Sequence, residues 1–213
     1  MIKYVVFDIA GVLIQDQWVS IVRTLLNDKQ LNDKQLNDKQ LSKQDVFELW
    51  QRESCFHDYE TGKISTDVFI SQAKTALNLT ISDQQFKELF DQIIITPFKR
   101  AEEVLSKVKS QFNVAILSNT NPMHYQKILN NFNIYQHCEH LFLSHQMGVM
   151  KPSGEIFSMM LKQLHCKAQH VLFFDDNMPN VLAARKLGIN SELITCPEDA
   201  YYYIELHSHN ISQ

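Results

Sequence analysis

The sequence predicts an α/β fold: a parallel sheet with helices on both faces and a helical segment inserted after the first strand. Three observations predict it. Short, unbroken apolar runs recur along the 213-residue chain. Amphipathic helical patterns separate the later runs. The stretch over residues 15–84 carries helical patterns and no convincing buried strand. Strands alternating with helices of roughly 10–15 residues imply parallel pairing through crossovers.

The first run, residues 4–7, is β-branched or aromatic throughout, as a strand buried on both faces should be. Similar runs lie at 114–117, 141–143, 171–174 and 192–194. Residues 122–131 read as a helix. So do 153–165, with Ile156, Phe157, Met160, Leu161 and Leu164 on one stripe. A third spans 180–187 and closes on Gly188 as its C-terminal cap. Inside the insertion, helices are expected over 18–26, 43–52 and 66–77. Ser65 is the N-cap of the last, and 59–63 form the turn before it. The sheet is expected to resume near Phe86. This divides the chain into a core, residues 1–14 and 85–213, and a helical module, residues 15–84.

The module contains Asn-Asp-Lys-Gln-Leu three times in tandem, at 27–31, 32–36 and 37–41. Solenoid repeats are longer, typically about 20 residues or more. A step of five residues on an α-helix rotates by about 140°, so Leu31, Leu36 and Leu41 build no common face. The repeat reads as polar sequence that lengthens a helix or loop. Deleting two copies is expected to leave folding intact.

Composition narrows the function. A formal charge of −4 argues against a general nucleic-acid binder, which carries a basic excess. Cys55, Cys138, Cys166 and Cys196 form no C-x-x-C pair and read as reduced thiols. The apolar run at residues 4–7 is far too short for a signal peptide, and no stretch approaches the roughly 20 apolar residues of a membrane span. The expectation is a cytoplasmic protein, monomer or homodimer, with neither nucleic acid nor membrane as partner.

Ligands of open α/β sheets bind at the carboxyl ends of the strands. Four runs meet polar residues there. The first ends in Asp8-Ile9-Ala10-Gly11-Val12-Leu13, and the second in Ser118-Asn119-Thr120-Asn121. The third leads to Lys151-Pro152, and the fourth ends in Asp175-Asp176-Asn177 with Asn180 beyond. Each is weak alone: an Asp before a Gly is often a turn former, Ser118 could cap a helix, and Lys151 could be a solvated lysine. Together, in this order, they form a set.

That set resembles the four motifs of the haloacid dehalogenase superfamily, and the helical insertion resembles its smaller type of cap. Residues 118–121, 148–152 and 173–177, with the turn 59–65, are most similar to the branch containing bacterial α-D-glucose-1-phosphate phosphatase and the phosphatase domain of soluble epoxide hydrolase. The resemblance implies a Rossmann-like core and a phosphatase of small phosphorylated metabolites. Asp8 would be the nucleophile. Mg²⁺ would be held by Asp8, the backbone carbonyl of Ala10 and Asp176, with Asp175 acting through a metal-bound water. Lys151 would offset the charge on Asp8 and the phosphoryl oxygens. Ser118 and the Asn119 amide would donate to those oxygens, and Asn180 would tether the metal loop.

The physics agrees with these roles. A carboxylate can attack phosphorus and form an aspartyl-phosphate. Three carboxylates beside a phosphate dianion need cations, and hard oxygen ligands suit Mg²⁺.

Ala10 departs from the pattern, because most phosphatases of the superfamily carry there a second Asp that protonates the leaving group. Such help is worth about 10² to 10⁴ in rate. Three readings follow. The first is a phosphatase for substrates with good leaving groups, such as an anomeric sugar phosphate. The second is a phosphate-binding sensor with little turnover. The third is a haloacid dehalogenase, which needs neither the proton nor a metal.

Other residues have blander readings. His137-Cys138-Glu139-His140 matches no zinc spacing and reads as structural. His207 and His209 read as solvated, and the tyrosines 201–203 as packing of a C-terminal helix. His124 could line the pocket, and His57, Tyr59 and Lys63 could touch substrate from the cap.

Overall fold

The computed structural model describes residues 1–29 and 52–209. Strand β1 (Tyr4–Phe7) is followed by β2 (Ile14–Asp16), which pairs antiparallel with β3 (Ile94–Pro97). The main sheet is completed by β4 (Asn113–Ser118), β5 (His140–Leu143), β6 (Val171–Asp175) and β7 (Asn190–Leu193). Its order is β5-β4-β1-β6-β7, with every pairing parallel. This is the expected α/β core, with β1 at the centre.

Both faces of the sheet are covered, which is why its strands read as continuous apolar runs. Side chains alternate across the sheet with period two. Val5, Phe7, Val114, Ile116, Leu172 and Phe174 join the core on one face. Val6, Ala115, Leu117, Val171 and Phe173 join the core on the other.

Four helices lie between β2 and β3 among the described residues: α1 (Trp18–Lys29), α2 (Ser54–Glu60), α3 (Thr66–Ala76) and α4 (Asp83–Asp91). After β3 come α5 (Ala101–Lys109), α6 (Pro122–Asn131) and the single turn α7 (Ser144–Met147). They are followed by α8 (Gly154–Gln163), α9 (Met178–Lys186) and α10 (Asp199–His209). Ala101, Val104, Leu105 and Val108 of α5 pack on the first face; Ile156, Phe157 and Met160 of α8 pack on the second.

The insertion has an aromatic centre of its own. Tyr59 stacks on Phe69 at 4.2 Å between ring centroids, and Phe86 and Phe90 close around them. These rings are continuous with the core on the first face of the sheet. The two chain crossings sit side by side, because Gln17 N–H donates to Ile93 O and Phe98 N–H to Leu13 O.

Several boundaries differ from expectation. The sheet does not resume near Phe86, which lies in α4. That helix starts at a capping box formed by Ser82 and Gln85, and its apolar residues face the aromatic centre. The main sheet resumes at Asn113. Ser65 caps α3 as read, its Oγ accepting from Val68 N–H at 3.4 Å. The turn expected over 59–63 begins later, because Tyr59 and Glu60 still belong to α2. The last strand starts at Asn190, because Leu172 of β6 pairs there. Helix α1 runs to Lys29, into the first repeat copy. The rest of the tandem repeat, and nearly all of the helix expected over 43–52, lie outside the described residues.

Candidate active site

The register of the sheet assembles the site. Phe7 pairs with Ile116 on one side and Phe174 on the other. The residues that follow, Asp8, Leu117 and Asp175, therefore reach the carboxyl edge at the same level. Asp8 N–H still donates to Phe174 O at 2.9 Å, so the nucleophile candidate starts from a fixed backbone.

Carboxylate oxygens of Asp8, Asp175 and Asp176 all lie within 4.8 Å of one another. Asp8 and Asp175 are buried, and Asp176 is half-buried. The ammonium of Lys151, fully buried, sits 2.9 Å from Asp8 Oδ2 and 2.6 Å from Asp175 Oδ2. It also donates to Leu117 O at 2.9 Å. The alternative reading of Lys151 as a solvated surface lysine is therefore excluded.

The electrostatics follow from burial. Desolvation, the largest effect, pushes the Asp8 carboxyl up to about 7; Lys151 opposes this, and Asp175 and Asp176 add to it. Burial works against the Lys151 ammonium, but Asp175 and Asp8 outweigh it and raise its pKa, so Lys151 stays charged. Three carboxylates against one ammonium leave the cleft short of positive charge. All the donors are hard oxygens. That donor set fits a small divalent cation better than a soft one.

Asp175 is almost fully engaged by protein. Its Oδ1 accepts from Asn177 N–H at 2.8 Å and Asn180 Nδ2 at 2.9 Å, and its Oδ2 accepts from Lys151 and from Asn180 Nδ2 at 3.1 Å. Such a group orients its neighbours. Asn180, the residue expected to tether this loop, donates through Nδ2 to both oxygens of Asp175.

The loop after β1 folds back on itself. Leu13 and Ile14 N–H both donate to Ile9 O at 2.8 Å, and Gly11 N–H donates to Ile14 O. Gly11 sits at φ +80°, the left-handed region that favours glycine, with the Asp176 carboxylate directly against it. In the sequence Gly11 stands in the first motif with no role of its own; its role is the close approach to Asp176.

Ser118 closes β4, buried, and Asn119 follows it. The Asn119 side chain spans the Lys151 backbone: its Oδ1 accepts from Lys151 N–H at 2.8 Å and its Nδ2 donates to Lys151 O at 2.9 Å. Sequence reasoning considered only the Asn119 amide. The structure brings together Asp8, Ser118, Asn119, Lys151, Asp175, Asp176 and Asn180, with Ala10 in the loop between.

It does not bring in the other candidates. His124 is buried at the seam between α6 and the insertion. Its Nε2 lies 2.9 Å from Phe90 O, its Nδ1 lies 3.1 Å from Asn121 Nδ2, and its ring stacks on Phe90 at 4.6 Å. These contacts are with Phe90 and Asn121, not with the carboxylate cluster. Tyr59 is buried, with its hydroxyl 2.9 Å from Thr66 Oγ1 and its ring stacked on Phe69, so it packs the aromatic centre of the insertion. His57 and Lys63 are exposed and both pair with Asp58. His207 is half-buried, and its Nε2 meets Glu192 Oε1 at 2.9 Å. Tyr202 is exposed, whereas Tyr201 and Tyr203 pack on the core. His137 lies near Glu102 and His140 belongs to β5, and among the described residues only the Asp8 cluster groups three metal-ligating side chains. No described helix is long and apolar enough to cross a membrane.

Comparison with known proteins places this arrangement. A family model described as haloacid dehalogenase-like hydrolase matches residues 2–188. The chain is 27% identical over 202 residues to D-ribitol-5-phosphate phosphatase of Bacteroides thetaiotaomicron, covering 90% of this chain and 91% of that one. It is 28% identical over 213 residues to a sesquiterpene phosphatase of Aspergillus oryzae, covering 92% and 94%. Among solved structures, a haloacid dehalogenase-family enzyme of Bacteroides thetaiotaomicron in complex with magnesium and inorganic phosphate shares the fold. Its TM-score is 0.74, with 24% identity over 91% of this chain and 94% of that one. With the model spanning most of the chain and the buried Asp–Lys centre at its sheet edge, this protein belongs to the haloacid dehalogenase-like hydrolase family.

Proposed function

We propose that this chain is a magnesium-dependent phosphatase of a small phosphomonoester, with Asp8 as its nucleophile. One observation carries the reading: the buried Lys151 ammonium holds Asp8 Oδ2 at 2.9 Å, beside two further carboxylates. The named relatives, phosphatases of ribitol 5-phosphate and of a sesquiterpene phosphate, support the class.

An Asp8 oxygen attacks phosphorus, the P–O bond to the alcohol breaks, and the phosphoryl group resides on Asp8 until water releases it. Lys151 offsets charge on Asp8 and on the phosphoryl oxygens throughout. The Ser118 hydroxyl and the Asn119 amide donate to those oxygens, where preorganised donors lower the barrier most. Asp8, Asp176 and the Ala10 carbonyl would hold Mg²⁺, which supplies charge neutralisation and orients the phosphoryl group. Asp175, occupied by Lys151 and Asn180, holds the neighbouring groups in place and would assist the metal indirectly. The helices between β2 and β3 serve as the cap that covers the cleft and excludes water.

Ala10 places no proton donor beside the leaving oxygen. Substrates whose alcohol leaves readily, such as glucose 1-phosphate, are therefore favoured over simple alkyl phosphates. The same residue favours a second reading, a phosphate-binding protein with little turnover. Dehalogenation at Asp8 needs no cation, and the three-carboxylate cluster argues for phosphoryl chemistry instead.

Phosphate release from p-nitrophenyl phosphate and α-D-glucose 1-phosphate, with Mg²⁺ and with chelator, tests the proposal. Release that requires Mg²⁺ supports the phosphatase. Tight phosphate binding without release supports the sensor, and halide release from a 2-haloacid without Mg²⁺ would overturn both.

A further inference from the structure

Ser144, at the first position of α7, is completely buried, although nothing in the sequence marks it. Its hydroxyl accepts from Thr120 N–H at 2.9 Å and donates to Thr120 C=O at 2.9 Å. One side chain thus satisfies both backbone groups of a single loop residue.

The topology explains why such a clamp is needed. Strands β4 and β5 pair as far as Ser118 with Leu143. Beyond that point β5 turns into α7 and can offer β4 no further backbone partner. Thr120 is buried, and its N–H and C=O cannot be left unpaired without cost. The Ser144 hydroxyl substitutes for the missing strand. On the other side of the same loop, Asn119 ties to the backbone of Lys151. The segment from Ser118 to Thr120 is therefore held from two directions.

We infer that Ser144 is a positioning residue: through Thr120 it fixes the loop so that the Ser118 hydroxyl and the Asn119 amide form a preset cradle for a phosphoryl group. The inference rests on the phosphatase reading of that loop. The Ser144 hydroxyl bonds to Thr120, while the carboxylates proposed to hold the metal follow β1 and β6. Its loss should separate phosphate binding from metal binding.

Calorimetric titration with inorganic phosphate, in saturating Mg²⁺, and with Mg²⁺ alone, tests this on the full chain. Ser144→Ala should weaken phosphate binding by about tenfold or more, the scale of two lost hydrogen bonds, and leave Mg²⁺ affinity unchanged. Ser144→Cys, close in size with a weak donor, should act in the same direction and covers the case in which the alanine variant fails to fold. Ser144→Thr, which keeps the hydroxyl, should restore most of the affinity; a purely structural lesion would weaken metal and phosphate binding together. Unchanged phosphate affinity in both Ser144→Ala and Ser144→Cys, or parallel loss of Mg²⁺ binding, overturns the inference. If wild type binds phosphate without turnover, the phosphatase reading fails while the variants still decide the role of Ser144. If wild type neither turns over nor binds phosphate, both fall.

Discussion

Gly11 lies so close to Asp176 that a methyl group built on it would fall 2.5 Å from the Asp176 carboxyl carbon. The loop after β1 and the end of β6 are thus in backbone-to-carboxylate contact. Gly11→Ala faces both this overlap and a left-handed backbone. It should cost about 1–3 kcal/mol of stability and displace Asp176. Mg²⁺ affinity measured by calorimetry should fall, and thermal melts should show the lower stability; an unchanged Mg²⁺ affinity would show that Asp176 is not a ligand.

Lys151 is the single cation between Asp8 and Asp175 in the described site. Lys151→Met removes the charge and keeps the bulk. It leaves two buried carboxylates without their partner, a change worth about 3–5 kcal/mol. Urea denaturation without metal should show that loss, Mg²⁺ should recover part of it, and phosphate release should vanish.

His124 governs part of the acid sensitivity. Burial, above all, lowers its pKa from 6.5 to about 4 in the folded protein. The folded state therefore binds fewer protons at this group than the unfolded state between those values, and its contribution, full above pH 6.5, is lost as pH falls toward 4. The contribution is at most on the order of 3 kcal/mol. Asp8 acts with the opposite sign, its raised carboxyl favouring the metal-free fold as pH falls below about 7. Comparing urea midpoints of wild type and His124→Gln at pH 7.5 and pH 4.5 cancels the Asp8 part. The variant should lose less stability on acidification; equal losses would place the acid sensitivity elsewhere.

Ala10 should set the dependence on leaving group. The rate of wild type should fall steeply as the alcohol becomes more basic across a series of aryl and alkyl phosphates. Ala10→Asp should raise alkyl phosphate turnover by up to about 10² to 10⁴ and aryl turnover much less. A flat dependence in wild type would mean that another group supplies the proton.

The sheet and the polar residues at its carboxyl edge are legible in the sequence because both depend on local pattern. Val5, Val6 and Phe7 are buried on alternate faces, so the run reads as a strand, and Asp8 stands where the run stops. The same holds for Ser118 and Asp175. Lys151 was legible only through its company, because a lysine in a loop carries no sign of its burial. Phe86 is ambiguous in the sequence, because an apolar residue after a helical stretch suits a strand as well as a helix. Its place in α4 depends on the cap at Ser82 and on rings distant in sequence. The polarity of Tyr59 and His124 is visible in the sequence, whereas the packing of α2 and α6 against Phe69 and Phe90 is not. Ser144 could not be found at all: its role exists only because β5 gives way to a helix beside the β4 loop.

The most direct test of the account is phosphate release from p-nitrophenyl phosphate by wild type and Asp8→Asn in saturating Mg²⁺, with both proteins shown to be folded. The amide keeps the shape and removes the nucleophile. The account predicts metal-dependent release by wild type and none above background by Asp8→Asn. Comparable release by the two proteins would show that the phosphoryl group never resides on Asp8, and would contradict the mechanism at its first step.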